Sequence, residues 1–384
     1  MASFGFSEEQ ELFRRQVREF AQKELAPGAR ERAKRGEVDL DMLQKMAGLG
    51  LLSMNAPAKY GGEEVSWVNV GIAIEELAKV DFTLSVWPIM GGGFLGTVLA
   101  HAPEELQDRW FPPILGGKML PCLCLTEPDC GSDAVAIKTR AVRDGDHYII
   151  TGEKTSVSWG MQAKLGVLFA KTDPGAGARG VSCFLVPLEQ TGLTRSFIPD
   201  LGWPSARRAS ISFDEVRLPA DHRMGEEGQG FYLAMGVIGV VRVALTLQAI
   251  GHAEGALGEA ISYARQRTAF GRPIAKFEAV SFKIAEQATI LESARLLCYR
   301  ALSLRDQGLP NNKEAAMAKW YGARSAVNAC HEALLIHGHV GYSEEYPVEQ
   351  RLKNVIGTEI GDGTAEMMKL IISREIIGRD FEPL

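Results

Sequence analysis

The sequence predicts an α+β fold built from three blocks in the order helical, β, helical. Apolar residues recur at helical spacing through 1–119, short β-branched segments between turn residues fill 120–230, and long helical patterns fill 231–384. Strands and helices therefore do not alternate as they do in a doubly wound sheet, and no G-x-G-x-x-G motif follows a predicted strand. We expect three domains with these bounds and no Rossmann-type dinucleotide site.

The N-terminal block begins with Ser7-Glu8-Glu9-Gln10, a pattern typical of a helix capping box. Apolar residues follow at helical spacing as far as Leu25, and Pro27 is expected to end this helix because proline has no backbone N–H. Further helices are predicted over 41–49, 68–80 and 104–110. Pro112-Pro113 is expected to close the last of them.

Three adjacent glycines, Gly91 to Gly93, stand among apolar residues in this block. Glycine has no side chain and permits backbone angles that other residues avoid. The segment is therefore either a flexible break or a wall kept small to leave room for a ligand, and the sequence leaves both interpretations open.

The middle block contains a predicted hairpin, in which residues 141–143 and 148–150 flank Asp144-Gly145-Asp146. An Asp-Gly pair between two such segments favours a tight turn. Further strands are predicted over 165–170, 181–186 and 209–213. In the last block helices are predicted over 231–265, 280–307, 312–336 and 365–377, which is enough for a helical bundle.

Composition and charge exclude several classes of protein. A chain of 384 residues, 46% hydrophobic and 23% charged, is globular and large enough for about two or three cores. The formal charge is −6 and no basic block stands out, so we expect no nucleic-acid partner. The longest apolar runs, such as 238–241, are far shorter than the ~20 residues that span a bilayer, so no membrane span is expected.

A cytoplasmic location is expected from two features. Residues 1–10 contain two acids and no base, unlike a signal or transit peptide. The six cysteines are scattered and form no C-x-x-C motif, which favours free thiols in a reducing compartment. No metal site is expected either, because no acid or thiol cluster accompanies His337-Gly338-His339.

Asp362 is the candidate catalytic carboxylate. It lies between Gly361 and Gly363, just before the predicted helix 365–377, for which Thr364 is a suitable N-cap. Because glycine does not block a ligand, both the backbone and the carboxylate of this segment can approach a substrate closely. Taken alone, the motif is more typical of a solvated surface turn, so the rest of the chain decides its role.

Four stretches of the chain carry recognisable motifs. Residues 123–133 are similar to T-E-P-x-x-G-S-D, and residues 152–160 match G-x-K-x-x-[IV]-[ST]-x-G. Residues 263–274 are close to Y-A-x-x-R-x-x-F-G-x-x-I, and the fourth stretch runs through 337–364. In this order and spacing, over essentially the whole chain, they resemble the FAD-containing acyl-CoA dehydrogenase family.

The resemblance implies a fold and a reaction. The family has an N-terminal α-helical domain, a middle β-barrel or β-sandwich and a C-terminal four-helix bundle. It removes two hydrogens from an acyl-CoA thioester: a carboxylate, here Asp362, takes the α proton while the β hydrogen leaves as hydride to N5 of FAD. Donors aimed at the thioester oxygen stabilise the developing enolate, and in the family these are the backbone N–H of the base and a ribityl hydroxyl of FAD.

Carried over by position, the resemblance also assigns binding residues and partners. Thr126 and Ser158 would hydrogen-bond the flavin ring, and Arg267 would reach the FAD pyrophosphate of a neighbouring subunit. The full cofactor-binding set is Leu123, Cys124, Leu125, Thr126, Ser132, Ser156, Val157, Ser158, Arg267, Thr268, Phe270, Glu278, Leu335, His337, Gly338, His339, Thr364 and Glu366. Substrate contacts are expected from Ser132, Arg242, Gly363 and Arg374. A homotetramer that passes electrons to an electron-transfer flavoprotein is also implied.

Departures from the family pattern suggest a substrate. Asp362 replaces the usual Glu and is shorter by one methylene, roughly 1.5 Å of reach. Ser156 replaces a common aromatic residue over the flavin, while Glu278 and Leu335 replace frequent glutamines. The shorter base, Ser156 and the glycines at 91–93 would all make room for a ring, as in dehydrogenases of alicyclic acyl-CoAs such as cyclohexanecarboxyl-CoA. Residues 87–94 contain no Asp or Glu, which favours 1,2- over 1,4-dehydrogenation.

Three alternatives remain open. The first is a straight- or branched-chain acyl-CoA dehydrogenase with an Asp base. The second is a flavin lyase or desulfinase on the same scaffold, which does not need an α-proton base. The third is a non-enzymatic acyl-CoA-binding or partner-binding protein with a vestigial site, which would contain no flavin.

Overall fold

The structure, a computed structural model, describes residues 5–378 and 380 and confirms the predicted order of helical, β and helical domains. The N-terminal helices are α1 (Glu8–Phe20), α2 (Ala29–Lys34), α3 (Leu40–Gly48), α4 (Trp67–Ala78), α5 (Gly96–Leu99) and α6 (Glu104–Leu115). The predicted capping box is confirmed, since Ser7 and Gln10 each accept a backbone N–H from the other. A π-helical turn, Ala21–Leu25, extends α1 towards Pro27.

The prediction that Pro112-Pro113 closes α6 is wrong, because the helix continues to Leu115. Each proline lacks the N–H that would bond to the carbonyl four positions earlier, so α6 loses two bonds near its end and stops two residues after Pro113. The Gly116 N–H still donates to the Pro112 carbonyl at 2.9 Å, and buried Phe111 holds this part of the helix in the core.

The glycines at 91–93 form neither a flexible break nor a ligand-sized space. They belong to a π-helical segment, Ile89–Leu95, that crosses the backbone of residues 52–54 at contact distance. A Cβ on Gly91 would lie 2.2 Å from the Leu52 carbonyl oxygen, and one on Gly92 would lie 2.1 Å from that of Met54. The space that side chains would occupy at these two positions is therefore filled by protein.

Gly92→Ala is expected to destabilise the fold by roughly 1–3 kcal/mol, because the added methyl group would overpack rigid backbone. The midpoint of thermal unfolding measures the effect. Gly258→Ala, in the long helix Gly230–Gln266 of the C-terminal domain, is the matched control. Nothing lies within 4 Å of its added Cβ, and alanine is more favourable than glycine inside a helix. Equal midpoints for the two variants would contradict this explanation of the glycines.

The middle domain is one eight-stranded sheet. Its strands are β1 (Pro121–Cys124), β2 (Arg140–Asp144), β3 (His147–Val157), β4 (Leu165–Lys171), β5 (Val181–Pro187), β6 (Leu193–Phe197), β7 (Ala209–Pro219) and β8 (Arg223–Met224). The main order is β6-β7-β3-β2-β4-β5-β8, and β1 pairs with β4 in parallel. The predicted hairpin is confirmed as β2–β3, with Asp144 opposite His147 and Gly145 in the left-handed region at φ +60°. Buried Tyr148, Phe184 and Phe213 lie in its core.

The C-terminal domain contains α7 (Gly230–Gln266), α8 (Glu278–Asp306), α9 (Asn312–His337), α10 (His339–Tyr342), α11 (Val348–Ile356) and α12 (Ala365–Ile377), with a small hairpin of β9 (Thr268–Ala269) and β10 (Arg272–Pro273). α7 packs against α4, α8 and α9 and so joins the two helical domains. Within the described residues, α7 alone is long and apolar enough to cross a membrane. However, 61% of its most apolar window is buried inside the protein, as is usual for a core helix.

Candidate active site

Asp362 lies in a short loop between two helices of the C-terminal domain. Residues 357–364, named the base loop after the expected role of Asp362, connect α11 to α12 and begin with a 3-10 turn, Gly357–Glu359. Thr364 caps α12 as predicted, since its side-chain oxygen accepts the Met367 N–H at 3.4 Å. The cap fixes the start of α12 and therefore the end of the base loop.

The backbone of the base loop is strained at Asp362, near the end of the loop. Asp362 has a φ of +58°, in the left-handed region that costs an L-residue roughly 1–2 kcal/mol. Gly363 follows with a φ of +110°, and a Cβ there would lie 2.6 Å from Cε of Met368. The surrounding structure must hold this conformation against its cost.

Two cationic side chains hold the base loop. Arg242 on α7 donates from Nε to the Asp362 carbonyl at 2.8 Å. Lys319 on α9 donates from Nζ to the Thr358 carbonyl and, at 3.4 Å, to the Gly363 carbonyl. The Asp362 N–H has no acceptor within the part of the chain that the structure describes. That N–H is therefore available to a ligand, as a donor to a thioester oxygen must be.

Burial raises the pKa of the Asp362 carboxyl, even though the residue keeps part of its surface accessible. Lys319, Arg242 and Arg208 oppose this shift, in decreasing order of effect. Burial also lowers the pKa values of Lys319 and Arg242. A carboxyl with a raised pKa is suited to a general base, because it holds the proton that it has taken more firmly.

The two segments predicted to line the flavin lie side by side in the β-domain. The Thr155 N–H on β3 donates to the Thr126 carbonyl at 2.8 Å, just after β1. Lys154 donates from Nζ to the Leu125 carbonyl at 2.9 Å. The motifs at 123–133 and 152–160 therefore form one surface rather than two separate sites.

A buried ion pair supports this surface. Lys154 is fully buried and donates to Glu127 Oε1 at 2.7 Å, while the Lys138 and Thr139 N–H groups also donate to the same carboxylate. Burial by itself would raise the pKa of Glu127, but Lys154 and these N–H groups outweigh it and lower the pKa. Burial lowers the pKa of Lys154, and Glu127 opposes that shift.

The side chains on this surface fit a flavin ring. Thr126 and Ser158 are half-buried and Ser156 is exposed, and within the described residues their hydroxyls have no side-chain hydrogen-bond partner. Cys124 and Val157 are buried in the β-core, so they can contact a ring through the backbone only. Free hydroxyls at the ends of β1 and β3 offer the donors and acceptors that the polar edge of a flavin needs. Three other members of the predicted set also keep accessible surface, namely Leu123, Leu125 and the exposed Ser132.

Contacts between domains bring the base loop towards the β-domain. The Trp203 N–H, in the segment before β7, donates to Asn354 Oδ1 on α11 at 2.8 Å. Arg208, which acts on the Asp362 carboxyl, immediately precedes β7, and β7 pairs with the end of β3 through Ala209 and Val157. The surface formed by residues 123–133 and 152–160, the flavin-type surface, is thus linked to Asp362 through β7.

The remaining predicted FAD residues lie in the helical domain. Arg267 and Thr268 are exposed at the end of α7, and Phe270 at the tip of the β9–β10 hairpin is 95% exposed. Exposed positions also hold Glu278, Leu335, Gly338 and His339. These residues are exposed on the helical domain and do not lie on the β-domain surface that carries Thr126.

His337 is placed differently from the other members of this set. It is buried, stacks on Tyr263 with ring centroids 4.7 Å apart, and donates from Nδ1 to the Ala333 carbonyl at 2.7 Å. Both its stacking and its Nδ1 hydrogen bond are therefore made within the same subunit. It also borders a cleft of about 800 Å³ between the N-terminal helices and α7, which is lined by none of the other predicted site residues.

Two predicted residues belong to α12. Glu366 is exposed in its first turn and Arg374 is half-buried in its last turn. Sequence reasoning missed Lys319, Lys154 and Glu127 as parts of the site. For Lys319 the available signal was a lysine among the apolar residues 315–318 of a predicted helix, which indicates a buried charge. No such signal marked Lys154 or Glu127, whose sequence neighbours are largely polar.

Family models and curated relatives agree with this geometry. The chain matches "Acyl-CoA dehydrogenase, N-terminal domain" over residues 7–118, "middle domain" over 122–216 and "C-terminal domain" over 228–377. It is 36% identical over 377 residues to the short-chain specific acyl-CoA dehydrogenase of Bos taurus mitochondria, covering 98% of this chain and 92% of that protein. It is also 36% identical to the caffeyl-CoA reductase-Etf complex subunit CarC of Acetobacterium woodii, covering 96% of this chain and 98% of that one.

Solved structures show the same architecture. Butyryl-CoA dehydrogenase from Megasphaera elsdenii superposes with a TM-score of 0.91 at 31% identity, covering 98% of this chain and 100% of that one. Two further neighbours of this fold contain FAD. The chain therefore belongs to the acyl-CoA dehydrogenase family of FAD-dependent oxidoreductases.

Proposed function

We propose that Asp362 is the base that removes the α proton of an acyl-CoA thioester. The observation that carries this proposal is its setting: a half-buried carboxylate with a raised pKa, beside a backbone N–H that no described residue accepts. The N–H would donate to the thioester oxygen and stabilise the enolate as the proton moves to the carboxylate. FAD, when bound, supplies the hydride acceptor at N5.

The substrate that we propose is an alicyclic acyl-CoA such as cyclohexanecarboxyl-CoA, dehydrogenated at the 1,2 position. Support comes from the short Asp362 and from Ser156, which is exposed and carries no aromatic ring over the flavin-type surface. A ring has a tertiary α carbon, and both features leave space around it. The glycines at 91–93 no longer support this substrate, because protein backbone lies against Gly91 and Gly92.

A short, linear acyl-CoA is the second candidate. The names of the Bos taurus and Megasphaera elsdenii proteins favour it, since they refer to short-chain and butyryl substrates. Anaerobic mixing of the FAD-containing protein with a panel of acyl-CoAs separates the two candidates. We expect cyclohexanecarboxyl-CoA to reduce the flavin fastest. Rapid reduction by butyryl-CoA or octanoyl-CoA but not by the cyclic thioester would exclude the alicyclic proposal.

The proposal includes the assembly and the electron acceptor. The exposed hairpin with Arg267 and Phe270 is suited to a homotetramer in which each subunit contacts a neighbour's FAD. The CarC relative is named as part of a complex with Etf, which supports an electron-transferring flavoprotein as acceptor. Dilution that dissociates the subunits should then release flavin, and a stable monomer that retains FAD would contradict the shared site.

A further inference from the structure

Lys319 is among the most deeply buried charged side chains of the protein, with 2% of its surface exposed. Its hydrogen-bond acceptors are the carbonyls of Thr358 and Gly363 rather than a carboxylate. Burying a cation without a directly bonded anion is costly, so a lysine at this position needs an explanation beyond packing.

The two carbonyls that Lys319 contacts lie on either side of Asp362. One ammonium group therefore ties the beginning of the base loop to its end, across the residue whose backbone is left-handed. Arg242 on α7 donates to the Asp362 carbonyl in the same segment. Cations from two different helices thus hold the three carbonyls around the strained residue.

The charge of Lys319 also acts on the Asp362 carboxylate. The charged side chains around the base loop are Lys319 and Arg324 on α9, Arg242 on α7, Arg208 before β7, Glu359 within the loop and Glu366 on α12. Glu359 is paired with Arg324 at 3.1 Å, and Glu366 is exposed. Among the cations, Lys319 has the largest effect on the carboxyl of Asp362.

We propose that Lys319 is a positioning residue that holds the backbone around Asp362 in place and whose positive charge acts on the carboxylate that accepts the α proton. This inference rests on the proposed role of Asp362. Lys319 does not itself touch the reacting atoms in this arrangement, because its ammonium group bonds to the backbone carbonyls of the loop.

The test compares Lys319→Met, Lys319→Arg and the control Lys369→Met. Lys369 is an exposed lysine of α12 whose ammonium lies over the Trp320 ring, so its removal takes the same charge from the same region without touching the base loop. The first readout is the pH dependence of flavin reduction by the best acyl-CoA. Removing the cation favours the protonated carboxyl, so the midpoint of the Lys319→Met profile should move to higher pH. Below each midpoint the rate falls about tenfold per pH unit, since one proton inactivates the base.

The second readout is amide hydrogen exchange in the peptide that spans the base loop, which does not depend on turnover. Exchange should accelerate in Lys319→Met and remain unchanged in Lys369→Met. If Lys319→Met does not fold, Lys319→Arg carries the test, because it keeps the charge but changes the bonding: loop exchange should rise while the pH midpoint stays in place.

A folded Lys319→Met protein with unchanged exchange and an unchanged pH midpoint would overturn the inference. The proposed function fails in a different way, namely if wild type is not reduced by any acyl-CoA. In that case hydrogen exchange still decides whether Lys319 holds the loop.

Discussion

Asp362→Asn is expected to slow reduction of the flavin by acyl-CoA roughly 10²–10⁴-fold, the usual contribution of a general base. The side chain keeps its shape but loses the ability to take a proton, while the Arg242 and Lys319 contacts involve backbone carbonyls and should persist. Rapid mixing under anaerobic conditions measures the rate. The FAD content of the variant should equal that of wild type.

Asp362→Glu is the matched variant for this prediction, because it keeps a carboxylate and adds one methylene. It should retain far more activity than Asp362→Asn, and its preference should move away from the cyclic thioester towards linear ones. A flavin lyase or desulfinase would behave differently, since Asp362→Asn would leave its turnover intact.

The wild-type rate should also depend on pH in a definite direction. Only the deprotonated carboxylate accepts the α proton, and burial raises the pKa of Asp362 above its ordinary value. Activity should therefore be complete above this raised pKa and fall as the pH decreases through it. Asp362→Glu should keep an acid limb of this kind, whereas Asp362→Asn should lose it.

Lys154→Met is expected to destabilise the protein by roughly 3–5 kcal/mol, the usual cost of breaking a buried ion pair from one side. The change leaves the Glu127 carboxylate buried without its cation and removes the bond to the Leu125 carbonyl. Because these residues support the surface that carries Thr126, FAD content should fall as well. Denaturant unfolding and flavin absorbance measure the two effects.

The control for this prediction is the double variant Lys154→Met with Glu127→Gln. It removes the buried anion together with the cation, so it should be considerably more stable than Lys154→Met alone. If the single and double variants unfold at the same denaturant concentration, the buried Glu127 carboxylate does not need the Lys154 cation.

The secondary-structure elements that the sequence predicted correctly are those that depend on residues close together in the chain. The capping box at Ser7, the Asp-Gly turn at Gly145 and the helix that follows Thr364 each depend on residues within a few positions of one another. Strands β1 and β6 were not predicted. β1 is only four residues long, and β6 lies at the end of the main strand order with mostly exposed side chains, so neither shows a clear alternation.

The parts of the site that sequence reasoning missed depend on distant contacts. Lys319 meets the base loop about forty positions further along the chain, and nothing near Lys319 in the sequence indicates this partner. The same holds for Gly92, whose need for glycine comes from the backbone at Met54. Asp362 could be identified because its motif and the flavin-type motifs occur together in one order.

The central claim is that this chain dehydrogenates an acyl-CoA with its bound flavin. The most direct test is an anaerobic titration of the FAD-containing protein with cyclohexanecarboxyl-CoA and butyryl-CoA, followed by product analysis. We predict that at least one thioester reduces the flavin and yields an equimolar amount of the corresponding α,β-unsaturated acyl-CoA. A flavin that stays oxidised with every thioester, or that is reduced without this product, would contradict the account.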